Sequence, residues 1–219
     1  MEAFENYQKQ SWRNRCRILT AGGPQNLNVP VVHENGTFSL PIRQIKVDYS
    51  TPWTVRTERA IESAYSSSPF FIYYRDDLFS ILDSRPVTLW ELNRRLIDYF
   101  CSRIGIAPQI METSSWEVPS QDLRHPRLRG GTASAVGPSA RGLEALAGEA
   151  VSEGASQEME ENDYREIIHP KRANTILRDM GLGRPYWQVF KEKFGFVEGL
   201  SVMDLLFNEG PESICWLKK

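Results

Sequence analysis

Residues 88–105 read Thr-Leu-Trp-Glu-Leu-Asn-Arg-Arg-Leu-Ile-Asp-Tyr-Phe-Cys-Ser-Arg-Ile-Gly. Thr88 and Glu91 have the spacing of a capping box, in which the hydroxyl and the carboxylate satisfy amides at a helix start. Leu89, Leu92, Leu96, Phe100 and Ile104 recur on one helical face. Gly105 stands where a left-handed residue commonly stops a helix. The stretch therefore predicts a one-faced helix that needs a core to pack on. Upstream, Ser68-Pro69 predicts a helix through Leu82, and Thr51-Pro52 another to about Tyr65, each with a capping hydroxyl before a proline at the first helical position.

Before these helices the pattern changes. Residues 13–19 read as a strand, Gly22-Gly23-Pro24 as a turn, and 26–32 as a second strand, which makes a hairpin. Residues 40–48 suggest a third strand and 106–112 a fourth. Farther on, helices are predicted near 171–180, 186–194 and 201–207. The expected class is α/β: a mixed sheet with flanking helices, in a single domain interrupted by an insertion. No internal repeat is visible.

The insertion is residues 117–163, which hold no aromatic residue and carry 4 basic against 9 acidic side chains. Such a composition buries too little apolar surface to offset the entropy of ordering it. We read it as disordered, with a weak helix at 141–152; a lid over a site is the alternative. The flanks, 1–116 and 164–219, are aromatic-rich and form one discontinuous domain in this reading.

Of the 219 residues, 41% are hydrophobic, enough for a core, and the net charge of −2 argues against a dedicated nucleic-acid binder. No apolar run is long enough to span a bilayer. The opening Met1-Glu2-Ala3-Phe4-Glu5 lacks the pattern of a secretory signal. Three cysteines make no disulfide framework. These features predict a cytoplasmic protein.

The densest polar cluster is Asn6-Tyr7-Gln8-Lys9-Gln10-Ser11-Trp12-Arg13-Asn14-Arg15-Cys16-Arg17. If 13–17 is extended, Arg13, Arg15 and Arg17 share one face, and Trp12, Asn14, Cys16 and Ile18 the other. Three guanidiniums in a row suit phosphate or carboxylate. The same row is also what a solvated strand, or arginines paired with the protein's own acids, would look like. Lys9 either joins such a pocket or is solvated. A second cluster runs from Tyr65 through Ser68-Pro69-Phe70-Phe71 to Tyr74. It reads as core and helix cap, with the Tyr65 hydroxyl available to line a pocket. The third holds Tyr186, Gln188 and Ser201-Val202-Met203-Asp204-Leu205-Leu206-Phe207-Asn208. Ser201 with Asp204 fits a capping box. Asp204 and Asn208 also lie four apart on an apolar helix, where a buried carboxylate needs a partner and an arginine would serve. His33, His125 and His169 show no metal-ligand spacing, so no metal is expected, and Cys16 and Cys101 read as core.

At these clusters the chain resembles the WbqC-like family of bacterial proteins. The resemblance rests on Glu5-Asn6-Tyr7-Gln8-Lys9-Gln10 with Trp12-Arg13-Asn14-Arg15-Cys16, on Ser63-Ala64-Tyr65 with Ser68-Pro69-Phe70-Phe71 and Tyr73-Tyr74, and on Tyr186, Gln188-Val189-Phe190, Gly195-Phe196 and Leu200-Ser201 with Asp204-Leu205-Leu206-Phe207-Asn208 and Gly210-Pro211-Glu212-Ser213. Members occur in gene clusters for O-antigen and related surface polysaccharides, and glycine (amino-acyl) transfer onto a sugar is the activity suggested for them. The resemblance thus implies a group-transfer enzyme acting on a small molecule, a nucleotide-sugar or amino acid. Arg13, Asn14, Arg15, Tyr65, Gln188 and Asn208 would bind substrate, and Asp204 and Lys9 would serve catalysis. No cofactor is named by it. The alternative is an accessory protein of envelope biosynthesis that holds an anionic ligand without turnover. Family members usually begin with a further strand and helix ahead of the position matching Met1. A chain starting there is expected to present an open strand edge and to be marginally stable.

Overall fold

The computed structural model describes residues 1–9, 11–33, 39–115, 168, 180–181 and 183–218. The expected insertion, the helix expected at 141–152, most of the one expected near 171–180, and His125 and His169 lie outside them. Among the described residues the architecture is helical, with a small antiparallel sheet. Strands β1 (Arg15–Thr20) and β2 (Gly23–Asn28) pair from Arg15 opposite Asn28 to Thr20 opposite Gly23. The turn closes where Gly23 takes φ of 108°, open to glycine at little cost, and the Thr20 hydroxyl donates to the Gly23 carbonyl at 2.8 Å. Alternation turns Cys16, Ile18 and Leu27 toward one side, where they join a core with Tyr65, Phe71, Met203 and Phe207.

Three helices follow: α1 (Trp53–Tyr65), α2 (Phe71–Asp83) and α3 (Leu89–Ile104). Helix α3 starts as its sequence predicts, with the Glu91 amide donating to Thr88 Oγ1 at 3.2 Å. The Glu91 carboxylate reaches back one residue farther than a standard box, to the Val87 amide. The helix ends in a Schellman arrangement: Gly105 has φ of 82°, and the Ile106 and Gly105 amides donate to the Cys101 and Ser102 carbonyls. Leu89, Leu92 and Ile104 of the predicted face are buried, and Leu96 and Phe100 are partly buried against the core. Leu89 and Leu92 enter a second apolar cluster with Tyr7, Val31, Ile45 and Trp53, so α3 joins both halves of the interior. The Thr51 and Ser68 hydroxyls do not cap; α1 has Pro52 at its N-cap and α2 has Phe70, neither with a side-chain bond.

Past residue 183 come α4 (Lys191–Phe194), α5 (Val202–Glu209) and α6 (Ser213–Leu217). The structure also corrects other expectations: the second strand, expected at 26–32, runs over Gly23–Asn28, with Gly23 and Pro24 in the ladder and not in the turn. Residues 40–48 form no strand: Pro41 opens a tight turn over Ile42–Gln44, and beyond it Val47 and Lys46 make only isolated bridges, to Val31 and Thr88 respectively. Residues 106–112 are not a strand either; Pro108 has no amide to give a ladder, and Thr113 bonds to Met1 and Ala3 just beyond. The helix near 186–194 shrinks to α4, because Gln188 spends its side chain on the backbone of Val197 and holds 183–190 as a loop.

Candidate functional site

Helix α5 places the most tightly bound polar group. Its N-cap is Ser201, whose Oγ accepts from the Met203 amide at 3.4 Å and whose own amide donates to the Arg17 carbonyl at 2.8 Å, tying α5 to β1. Asp204 belongs to the first turn, yet its carboxylate does not cap. It turns into the interior, with 1% of the residue exposed. Oδ1 accepts from the Tyr65 hydroxyl at 2.8 Å; Oδ2 accepts from the Tyr186 hydroxyl at 2.6 Å and from Gln188 Nε2 at 3.1 Å. The capping-box reading is overturned. Burial is right, but the partners are two phenols and an amide, with no arginine among them.

The electrostatics follow from that enclosure. Burial pushes the Asp204 carboxyl above its ordinary range, and bonds from Tyr186, Tyr65 and Gln188 pull it part of the way back. Burial, then the nearby Asp204 charge, pushes the Tyr65 and Tyr186 phenols far above their ordinary value, so both remain donors. Gln188 is fully enclosed; Nε2 donates to the Val197 carbonyl at 3.0 Å while Oε1 accepts from the Val197 amide at 2.9 Å, which fixes the amide's orientation. Asn208, one turn after Asp204, donates from Nδ2 to the Asp204 carbonyl at 2.8 Å and accepts from the Ser68 hydroxyl at 2.9 Å. Asp204, Tyr65, Gln188 and Asn208 therefore form one buried network.

The other candidates gather where β1 begins, and the supposed row of arginines is broken there. Trp12–Asn14 is a tight turn capped by Ser11, so Arg13 is not on the strand. Its Nε donates to Glu5 Oε2 at 2.9 Å, and its Nη2 to the other oxygen of the same buried carboxylate. Arg17 lies over the Trp12 ring, 5.5 Å from its centroid. Asn14 donates from Nδ2 to the Val29 carbonyl at 3.0 Å, and the Val29 amide donates to the Asn14 carbonyl at 2.8 Å, extending the hairpin by one pairing. Asn14 Oδ1 and Arg15 Nε are buried and find no hydrogen-bond partner among the described residues. Lys9 is exposed in the segment before the turn.

Tyr186, although it stands in the third polar cluster, has no assigned role in the expected site, and Glu5 belongs to none of the three clusters. Tyr186 was within reach of inference: a buried carboxylate needs donors, and a tyrosine two residues from Gln188 is one. Glu5 carries no such signal, since its pairing with Arg13 depends on the turn. Burial pushes the Cys16 thiol up to about 11, which suits a core residue and not a nucleophile. Among the described residues no three His, Cys, Asp or Glu side chains form a metal-binding group, and no helix is long and apolar enough to cross a membrane.

Comparison with known proteins adds a relative and a family. An alignment of 219 residues with "Uncharacterized protein Rv1507c" of Mycobacterium tuberculosis (strain ATCC 25618 / H37Rv) shows 32% identity, covering 97% of this chain and 84% of that one. No solved structure matches. The profile of the WbqC-like protein family matches residues 3–215, a span that takes in Glu5, Arg15, Tyr65 and Asp204 alike; the chain belongs to the WbqC-like protein family.

Proposed function

We propose that the protein is a cytoplasmic ligand-binding component of bacterial surface-polysaccharide biosynthesis. It would hold an anionic small molecule, a nucleotide-sugar or an amino acid, on the polar segment from Lys9 to Arg17. One observation carries this choice over catalysis. Asp204, the candidate general base, is sealed inside the protein with each carboxylate oxygen already accepting from protein donors. A general base must come within hydrogen-bond reach of the proton it takes, directly or through one water. A carboxylate so enclosed serves packing and alignment.

A group-transfer reading, amino-acyl transfer onto a sugar, draws on a different observation: Tyr65, Gln188, Asp204 and Asn208 come from separate stretches and meet in one network. It requires that network to open to substrate. The deciding experiment incubates the protein with nucleotide-sugars, amino acids and acyl-CoAs, following binding by calorimetry and products by mass spectrometry. Saturable binding without product supports the binding reading. Turnover that Asp204→Asn abolishes in a folded protein overturns it.

A further inference from the structure

We infer that Arg15 is the anchor of an oxyanion site, taking the phosphate or carboxylate of a small-molecule ligand at the start of β1. The inference deepens the binding reading above and rests on it. The sequence offers three arginines in alternation, and the structure accounts for two. Arg13 is neutralised by the buried Glu5 carboxylate through both Nε and Nη2. Arg17 stacks on Trp12. Arg15 forms no ion pair among the described residues, and its Nε is shielded from solvent with no acceptor in reach. A shielded donor on a cation is the most expensive kind of polar atom to leave bare, because neither water nor protein compensates it. Bonding to an anionic oxygen is the chemistry that satisfies it, and the planar fork lets one oxyanion take Nε together with a neighbouring N–H.

The surroundings favour an anion. Tyr7, buried in the second apolar cluster, feels the Arg15 charge, which draws its phenol down against the larger upward push of burial. A guanidinium close to buried apolar side chains sits in a lower local dielectric, which strengthens its attraction for an oxyanion. Lys9, exposed, stands six residues earlier in the same polar segment. Because Nε is shielded, an arriving oxyanion must move neighbouring side chains aside, a scale of change common at binding sites.

The Nε–H of Arg15 can be watched directly. In the full chain, its 1H–15N resonance, assigned by its loss in Arg15→Lys, is followed during titration with inorganic phosphate and, separately, acetate. The expected result is a saturable shift of that resonance with at least one anion, and at least about tenfold weaker binding in Arg15→Lys, which keeps the charge but loses the fork. The two arms tell a phosphate site from a carboxylate site. Should Arg15→Lys not fold, the resonance is assigned instead by through-bond correlation from the Arg15 backbone amide to its Nε–H, and the wild-type titration stands by itself: shifts confined to exposed arginines such as Arg56 and Arg59, with Arg15 unmoved, overturn the inference. If nucleotide-sugars or amino acids bind while Arg15 Nε stays silent, this site is wrong and the binding reading survives. If no ligand binds at all, both fail.

Discussion

Asp204 shows how one side chain can be enclosed for structural reasons. Its oxygens collect donors from α1 and from the loop before α4, and its backbone carbonyl takes the Asn208 amide. Asp204→Ala would leave two phenols and an amide without their acceptor, so the fold should lose about 3–5 kcal/mol, the range for breaking a buried charged network. Denaturant unfolding followed by circular dichroism measures it; a loss below about 1 kcal/mol would fit an exposed cap instead. The pH dependence has a definite sign. Burial raises the Asp204 carboxyl above 3.8 in the folded protein. The folded state then binds the proton more readily than the unfolded chain does, so the contribution of Asp204 to stability grows as pH falls from the folded value toward 3.8. The stability gap between wild type and Asp204→Ala should therefore be wider at the acid end of that window than at neutral pH. A gap that widens toward neutral pH would mean the three donors outweigh burial.

At the scale of elements, what could be read ahead was what is decided locally. Helix α3 was legible because capping, periodicity and the stop at Gly105 all lie within it. The supposed strand at 40–48 was not, because alternation says which side a residue takes and not whether a partner strand is there; Val47 and Lys46 find different partners and no ladder forms. The same limit held at the site. That Asp204 is buried followed from its apolar helix, whereas its partners depend on how a distant loop folds over it, and Arg13 left the arginine row because a tight turn precedes β1. Gly210 follows α5 as Gly105 follows α3, a local reason to be glycine, and the structure adds a second that the sequence does not reveal. It takes φ of 55°, and a Cβ there would stand 2.5 Å from the Phe70 ring. The Phe70 amide donates to the Phe207 carbonyl at 3.0 Å, so that ring cannot easily withdraw. Gly210→Ala should cost about 2–3 kcal/mol from dihedral strain and overpacking together. Adding Phe70→Ala should recover the packing part alone, which a double-mutant cycle would show as coupling between the two sites. Additive losses would mean the ring moves freely.

On the scale of the whole molecule, the segments before and after residues 117–163 depend on each other. Met203 and Phe207 from α5 sit in the cluster that holds Ile18 and Leu27 from the hairpin and Ile61 and Tyr65 from α1. The Phe207 ring meets those of Tyr65 and Phe71 edge-on, with centroids 5.3 and 5.2 Å away. Neither segment should fold alone, since each would expose the surface the other covers. The residues between them contribute composition of another kind, acidic and without aromatics. Replacing residues 120–160 by a short Gly/Ser linker shortens the loop that must be closed, and closure entropy changes by only about 0.6 kcal/mol per doubling of length. The melting temperature of the shortened protein should therefore stay level or rise by a few degrees. Because the hairpin core and the Asp204 network are built from the flanks, the slow-exchanging amides of β1 and α3 should keep their protection in hydrogen exchange. A fall of several degrees, or faster exchange at Ile18 and Leu92, would show instead that residues 120–160 cover part of that core.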